Sequence, residues 1–129
     1  MNSFSKALGC ALCVLALAGC AKTAPVKHFK SEITQNYTND QVKNAIIEAG
    51  LSRDWVMTPQ APGVIQGRYT NRNHSAEVLI HYTNKGYEIS YANSQNLLAS
   101  EGKIHKNYNR WVNNLDHDIQ VRLSSGLVK

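Results

Sequence analysis

The chain has 129 residues, 43% of them hydrophobic, and a formal net charge of +5 from 14 basic and 9 acidic side chains. This length allows one modest domain, and the apolar content excludes a chain that stays unfolded. The charge is mildly basic, but no nucleic-acid-binding motif accompanies it, so we expect no nucleic acid as a partner. The three cysteines, Cys10, Cys13 and Cys20, all precede the region expected to fold, which predicts a domain without disulfides.

The N-terminal segment has the pattern of a secretory signal peptide. Lys6 supplies a positive charge, and residues 7–18 are almost entirely apolar. This run is too short for a membrane-spanning helix, which needs about 20 such residues, and fits the apolar part of a cleaved signal. It ends in LAGC at 17–20, which resembles the lipobox of bacterial lipoproteins. The resemblance implies a lipoprotein signal peptide over residues 1–19 and a diacylglyceryl group on the sulfur of Cys20.

The residues after the cysteine bear on where the protein is held. The residue directly after the cysteine is Ala21 and not an aspartate. By resemblance to the sorting rule of enterobacterial lipoproteins, this implies the outer membrane, facing the periplasm. Residues 20–36 lack a clear period and contain Pro25 and three lysines, so we expect a lipidated, flexible tether. Two interpretations of these lysines stay open: attraction to anionic lipid head groups, and plain solvation.

Residues 37–129 are expected to form a single α+β domain in the periplasm, beginning with a helix. Thr38 and Gln41 have the spacing of a capping box, which starts a helix. The apolar residues that follow recur at helical spacing, and Gly50 is expected to end the helix. The sequence therefore predicts a short N-terminal helix that needs tertiary packing to persist.

The middle of the domain is expected to be a β-sheet. A stretch with two prolines and a glycine, residues 58–63, separates it from the first helix. Apolar and polar residues then alternate over 65–69, 76–82 and 87–91, which predicts an antiparallel meander of three to four strands. A two-residue turn at 84–85 would keep the apolar residues of the last two strands on one face.

The last element is predicted to be a long amphipathic helix that packs across one face of the sheet. Its apolar residues follow helical spacing: Ile104, Tyr108, Trp111, Val112, Leu115, Ile119 and Leu123. Trp111 is expected to make the largest single contribution to the core. The polar residues of the helix, including Asn109 and Asp116, are expected to point mostly outward.

Most of the mature chain resembles an uncharacterised family of small lipoproteins from Gram-negative proteobacteria. The likeness lies in residues 63–67, 76–82, 87–91, 94–97 and, most distinctively, in IHKNYNRWV at 104–112. The resemblance implies a lipidated periplasmic protein and supplies no catalytic residue.

The polar side chains do not form a recognisable catalytic or metal-binding pattern. No two of the five histidines stand at the spacing of a paired zinc ligand, and the neighbours Asp116, His117 and Asp118 point in different directions on a helix. No serine stands in a nucleophile turn, and no phosphate loop is present. We therefore expect no enzyme, no metal and no cofactor.

The segment 94–108 is the best candidate for a partner-binding surface. It combines the adjacent Leu97 and Leu98 with Asn96 and His105, apolar and polar groups that suit a peptide or a glycan. The alternative is structural: the leucines would cover one end of the core, and an asparagine would cap the final helix.

The sequence therefore predicts a membrane-anchored periplasmic lipoprotein that acts as a non-enzymatic binding or envelope-assembly accessory module. Its expected partners are the membrane, through the lipid, and a protein or cell-wall component of the envelope. The alternative function is binding of a small ligand or cell-wall fragment in a pocket between the final helix and the sheet.

Overall fold

The structure, a computed structural model, describes residues 21–129. The predicted signal peptide and Cys20 lie outside these residues. The described part contains two helices, α1 (Asn39–Leu51) and α2 (Lys106–Ser125). It also contains seven strands: β1 (Thr23–Pro25), β2 (Phe29–Glu32), β3 (Val56–Ala61), β4 (Val64–Asn71), β5 (His74–Thr83), β6 (Gly86–Gln95) and β7 (Lys103–His105). The fold class is α+β, as predicted.

Five of the described strands form one antiparallel sheet in the order β2-β6-β5-β4-β3, while β1 and β7 form a separate two-stranded ribbon. The predicted count of three to four strands is therefore wrong, because β2 adds a fifth strand at one edge. At the other edge, β3 runs through Pro59, which the sequence pattern indicates as a break. A proline is tolerated there because an edge strand does not need all of its N–H groups for the ladder.

The central hairpin of β5 and β6 has the register that a two-residue turn at 84–85 imposes. Tyr82 lies opposite Tyr87, and Val78 lies opposite Tyr91. Side chains alternate along each strand, so this alignment places the apolar residues of both strands on one face. The register shifts just before Val78, where β6 contains one extra residue.

The stretch before α1 forms strands, so the expectation of a flexible tether over residues 20–36 is wrong for the described part. β1 pairs with β7, and β2 pairs with β6 beside the turn of the central hairpin. These strands are only three and four residues long, too short for an alternation of apolar and polar residues to stand out in the sequence. The expectation that a helix is the first element is wrong for the same reason: two strands precede α1.

Helix α1 begins with the capping box that the sequence indicates. The Thr38 hydroxyl accepts a hydrogen bond from the backbone N–H of Gln41 at 3.1 Å, and the Gln41 side chain accepts one from the backbone N–H of Thr38 at 2.9 Å. The helix continues through Gly50, which lies directly against the Met57 side chain of β3. Any side chain at Gly50 would collide with Met57, so glycine permits close packing of α1 on the sheet.

Helix α2 packs on the same face of the sheet as α1. Trp111 lies edge-on to Tyr69 of β4, with ring centroids 5.0 Å apart, and Tyr69 in turn contacts Trp55 at 5.4 Å. Two ion pairs join α2 to α1 and to the turn directly after it: Glu48–Arg122 at 3.0 Å and Arg53–Asp118 at 2.6 Å. The opposite face of the sheet is not covered by either helix.

The core lies between the two helices and the sheet. Its fully buried members include residues from both helices and all three central strands: Val42, Ile46, Ile65, Val78, Ile80, Ile89, Val112, Leu115 and Ile119. The buried core residues of the described part lie between Ile33 and Leu123, so a chain that begins at residue 20 keeps all of them. Within the same residues, no helix combines the length and the apolar character that crossing a bilayer requires.

Two buried tyrosines, Tyr87 of β6 and Tyr108 of α2, differ in what their hydroxyl groups contact. Tyr87 donates a hydrogen bond of 2.7 Å to the Asp116 carboxylate, which turns this acidic residue toward the sheet rather than outward. The Tyr108 hydroxyl is buried and has no hydrogen-bond partner within the described part of the chain. Burial raises the pKa of both phenols, and for Tyr87 the hydrogen bond to Asp116 raises the pKa further.

Phenylalanine at these two positions should therefore have different effects. Tyr87→Phe removes a hydrogen bond to a carboxylate and should lower the free energy of unfolding by about 1.5–3 kcal/mol. Tyr108→Phe removes a hydroxyl without a described partner and should leave the free energy unchanged within about 0.5 kcal/mol, or raise it. Urea unfolding followed by tryptophan fluorescence measures the free energy of unfolding of both variants. An equal decrease in the two variants would contradict a stabilising hydrogen bond at Tyr87 and its absence at Tyr108.

Candidate functional site

The segment predicted to bind a partner lies at one end of the molecule. This end is built from β1, β7, the connection 96–102 and the first turn of α2, and we call it the β1–β7 end. Thr23 of β1 lies opposite His105, and Pro25 lies opposite Lys103. The backbone N–H of Lys106, at the start of α2, donates to the carbonyl oxygen of Lys22 at 3.1 Å. The first described residues are therefore fixed to the start of the last helix.

A buried asparagine strengthens this attachment. Asn109 is only 7% exposed, which corrects the expectation that it points outward. Its amide nitrogen donates to the carbonyl oxygen of Pro25, and its side-chain oxygen accepts from the backbone N–H of Lys27, both at 3.0 Å. The nitrogen and the oxygen of this side-chain amide thus both bond to one backbone segment, and we call the arrangement the Asn109 clamp. It holds residues 25–27 on α2, because each lost bond would leave a buried polar group unpaired. No signal in the sequence separates Asn109 from the exposed asparagines of the same helix.

The connection 96–102 presents one leucine and buries the other. Leu97 is 2% exposed and joins the core, so it is unavailable to a partner. Leu98 is 60% exposed, although its φ of +56° is a conformation that bulky residues rarely adopt. Asn96 and Glu101 also have positive φ angles, of +59° and +51°. Such strain persists only where the surrounding structure imposes it, and it is concentrated at functional sites.

The other two predicted binding residues are occupied by contacts within the fold. The Asn96 side chain donates to the carbonyl oxygen of Asn73 at 2.6 Å, which holds the connection to the turn between β4 and β5. His105 caps α2, since its Nδ1 accepts from the backbone N–H of Asn107 at 3.1 Å. The structural alternative thus correctly describes Leu97, whereas the residue that caps α2 is His105 rather than an asparagine.

Two depressions lie at the opposite end of the molecule, on either side of the turn between β3 and β4. The first has a volume of about 570 Å³, and its lining includes Lys30, Val64, His81, Thr83 and Glu88. The second has a volume of about 530 Å³ and adjoins the start of α1. Both volumes fall in the range of ligand-binding clefts, about 300–1,000 Å³, and both depressions are open to solvent. We call this region the distal end.

The interface between α2 and the sheet offers much less space. A cavity beside Trp55, Tyr69 and Trp111 has a volume of about 70 Å³. The helix residues that face the sheet next to it are fully buried and fill the interface. This cavity, and a second one of about 130 Å³ between β2 and the end of α2, are smaller than the clefts of about 300–1,000 Å³ that bind ligands.

A histidine, a carboxylate and a hydroxyl meet on the uncovered face of the sheet. His28 Nε2 lies 2.9 Å from Glu88 Oε2, and His28 Nδ1 lies 3.3 Å from the Ser90 hydroxyl. The order of these groups is that of a hydrolase triad, but the His28 and Glu88 side chains are 53% and 43% exposed on an open surface. Ser90 lies inside β6, where backbone groups follow the ladder rather than converge on a reacting carbonyl. These contacts hold the residue before β2 on β6. The sequence did not predict them, because His28 lies in the segment expected to be a flexible tether.

The acidic and histidine side chains of α2 point in different directions. Asp116 contacts Tyr87, and Asp118 contacts Arg53, so the two carboxylates on either side of His117 do not converge. Across residues 21–129, no group of three or more histidine, cysteine or acidic side chains is placed to hold a metal ion.

Neither a comparison with protein-family models nor one with curated proteins finds a match for this chain. The family resemblance indicated by the sequence therefore stays a prediction.

Proposed function

We propose that this protein is a lipid-anchored lipoprotein of the bacterial envelope whose α+β domain binds another envelope component without catalysis. The observation that carries the proposal is the LAGC sequence at 17–20, directly after a charged and then apolar N-terminal segment. The lipid would be attached to Cys20, and Ala21 supports a final location at the periplasmic face of the outer membrane. Two or three acyl chains on one cysteine hold a protein stably in a membrane, whereas a single chain does not.

The start of the fold supports a role close to the membrane. β1 begins at Thr23, so only Ala21 and Lys22 separate Cys20 from the first strand. The three residue steps from Cys20 to Thr23 span about 10 Å even when the chain is fully extended. A lipid on Cys20 would therefore hold the β1–β7 end against the bilayer surface.

The distal end is then the part of the domain that faces away from the membrane. Helix α2 starts at the β1–β7 end, and its 20 residues extend about 30 Å. Near its other end, the Leu123 carbonyl oxygen accepts from the Tyr37 hydroxyl at 2.8 Å. The distal depressions would therefore open about 30 Å from the bilayer, where a periplasmic protein or a cell-wall chain could reach them.

The lipid is tested with two cysteine variants of the full chain. We expect the protein to fractionate with membranes and to carry acyl groups on its N-terminal peptide by mass spectrometry. Cys20→Ser should lose the acyl groups, because serine lacks the sulfur that is modified. Cys13→Ser is the matched control and should remain lipidated, since cleavage removes this residue. Acylation that persists in Cys20→Ser would contradict the proposal.

Binding at the distal end is tested by crosslinking in intact cells from a photoreactive residue at His81. The expected result is one specific adduct, which weakens in the Cys20→Ser variant because the domain loses its position at the membrane. The control is the same photoreactive residue at His117, an exposed position on α2 outside both ends of the domain. Identical adduct patterns from both positions would show that the distal end has no partner of its own.

A further inference from the structure

Five basic residues surround the β1–β7 end. They come from three different parts of the fold: Lys22 and Lys27 flank β1, Lys103 lies in β7, and Lys106 and Arg110 lie in the first turns of α2. All five are exposed. We call this set the basic surface.

The basic surface is not neutralised by the fold. The ion pairs within residues 21–129 involve other cations, namely His28, Arg53, Arg68 and Arg122. One carboxylate, Glu101, stands in the connection next to β7 and is exposed. Five positive charges and one negative charge give the β1–β7 end a local excess of positive charge, which the net charge of the whole chain does not show.

The arrangement of the cations forms a shallow depression. Lys106 and Arg110 are four residues apart on α2, so they lie on the same side of the helix. Together with Lys27 they line a depression of about 360 Å³. The Asn109 clamp lies at its base and fixes the backbone of Lys27 against the helix. Lys27, Lys106 and Arg110 are thereby held around one concave area, and Lys22 and Lys103 belong to the adjoining β1–β7 ribbon and its flank.

An exposed apolar side chain accompanies the cations. Leu98 follows Leu97, whose carbonyl oxygen accepts from the backbone N–H of His105 at 2.8 Å, so Leu98 belongs to the same end of the molecule. The strained backbone keeps Leu98 60% exposed while its neighbour is buried. A leucine beside several cations is the combination found where proteins touch a membrane interface.

We propose that the basic surface binds the anionic phospholipid head groups of the membrane that carries the Cys20 lipid, with Leu98 entering the interface. The location of this membrane rests on the proposed lipidation. The occupant follows from the position of Cys20, which lies only two residues before Lys22, because a lipid there brings a bilayer to this surface. The contact would fix the orientation of the domain and keep the distal end turned toward the periplasm.

The inference is tested without the lipid, on the chain from residue 20 with Cys20→Ser. We expect this chain to sediment with vesicles of phosphatidylcholine and phosphatidylglycerol, but not with vesicles of phosphatidylcholine alone. Each lysine near an anionic surface changes partitioning about fivefold, so Lys103→Glu with Lys106→Glu should weaken binding at least about 25-fold. Salt should weaken the binding of the parent chain, since it screens exposed charges.

The matched control carries the same change in net charge at the distal end, Lys43→Glu with Lys85→Glu, and should keep most of the binding. Leu98→Asn should weaken binding about fivefold while the folded domain is retained, because asparagine adopts positive φ more readily than leucine. Circular dichroism verifies that each variant is folded. Equal vesicle binding by the parent and the Lys103/Lys106 variant, or an equal loss in the distal control, would overturn the inference. The assay contains no lipidated cysteine, so its failure is distinct from a failure of lipidation at Cys20.

Discussion

Three residue pairs between β1 and β7, together with the buried Asn109, join the first described residues to the start of α2. This attachment decides how the whole domain relates to Cys20. A flexible tether over the sixteen residues 21–36 would average roughly 20–25 Å between its ends and let the domain rotate freely. A strand that begins at Thr23 allows neither that distance nor that freedom, so one end of the fold is always next to Cys20.

The two ends of the domain consequently have different surroundings in the proposed function. The β1–β7 end carries the exposed Leu98 and five of the ten lysines and arginines that form no ion pair within residues 21–129, and it would face the bilayer. The distal end carries the two larger depressions and would face the periplasm about 30 Å away, at the far end of α2. Both proposals depend on the same attachment of β1, and they can fail separately because they concern opposite ends of the molecule.

The sequence predicts those parts of the fold whose signals are local. The capping box at Thr38 starts α1, the turn at 84–85 sets the register of β5 and β6, and the apolar spacing over twenty residues defines α2. Contacts between distant residues are not predictable in this way. The hydrogen bond of Asn109 to the Lys27 backbone spans 82 positions in the chain, and β1 and β2 are too short to show a pattern. The predicted binding segment 94–108 stays a prediction, and its sequence does not show that Leu97 is buried while the adjacent Leu98 is exposed.

The attachment of β1 is tested most directly by amide hydrogen exchange in the chain from residue 20 with Cys20→Ser. The backbone N–H of Val26 donates to the Gly102 carbonyl oxygen at 3.0 Å, and that of Lys27 donates to the Asn109 side chain. Both amides should exchange far more slowly than an unstructured chain, and Asn109→Ala should speed the exchange of Lys27 while Asn113→Ala should not. Exchange of Val26 and Lys27 at the rate of a free coil would contradict the attachment and restore the flexible tether.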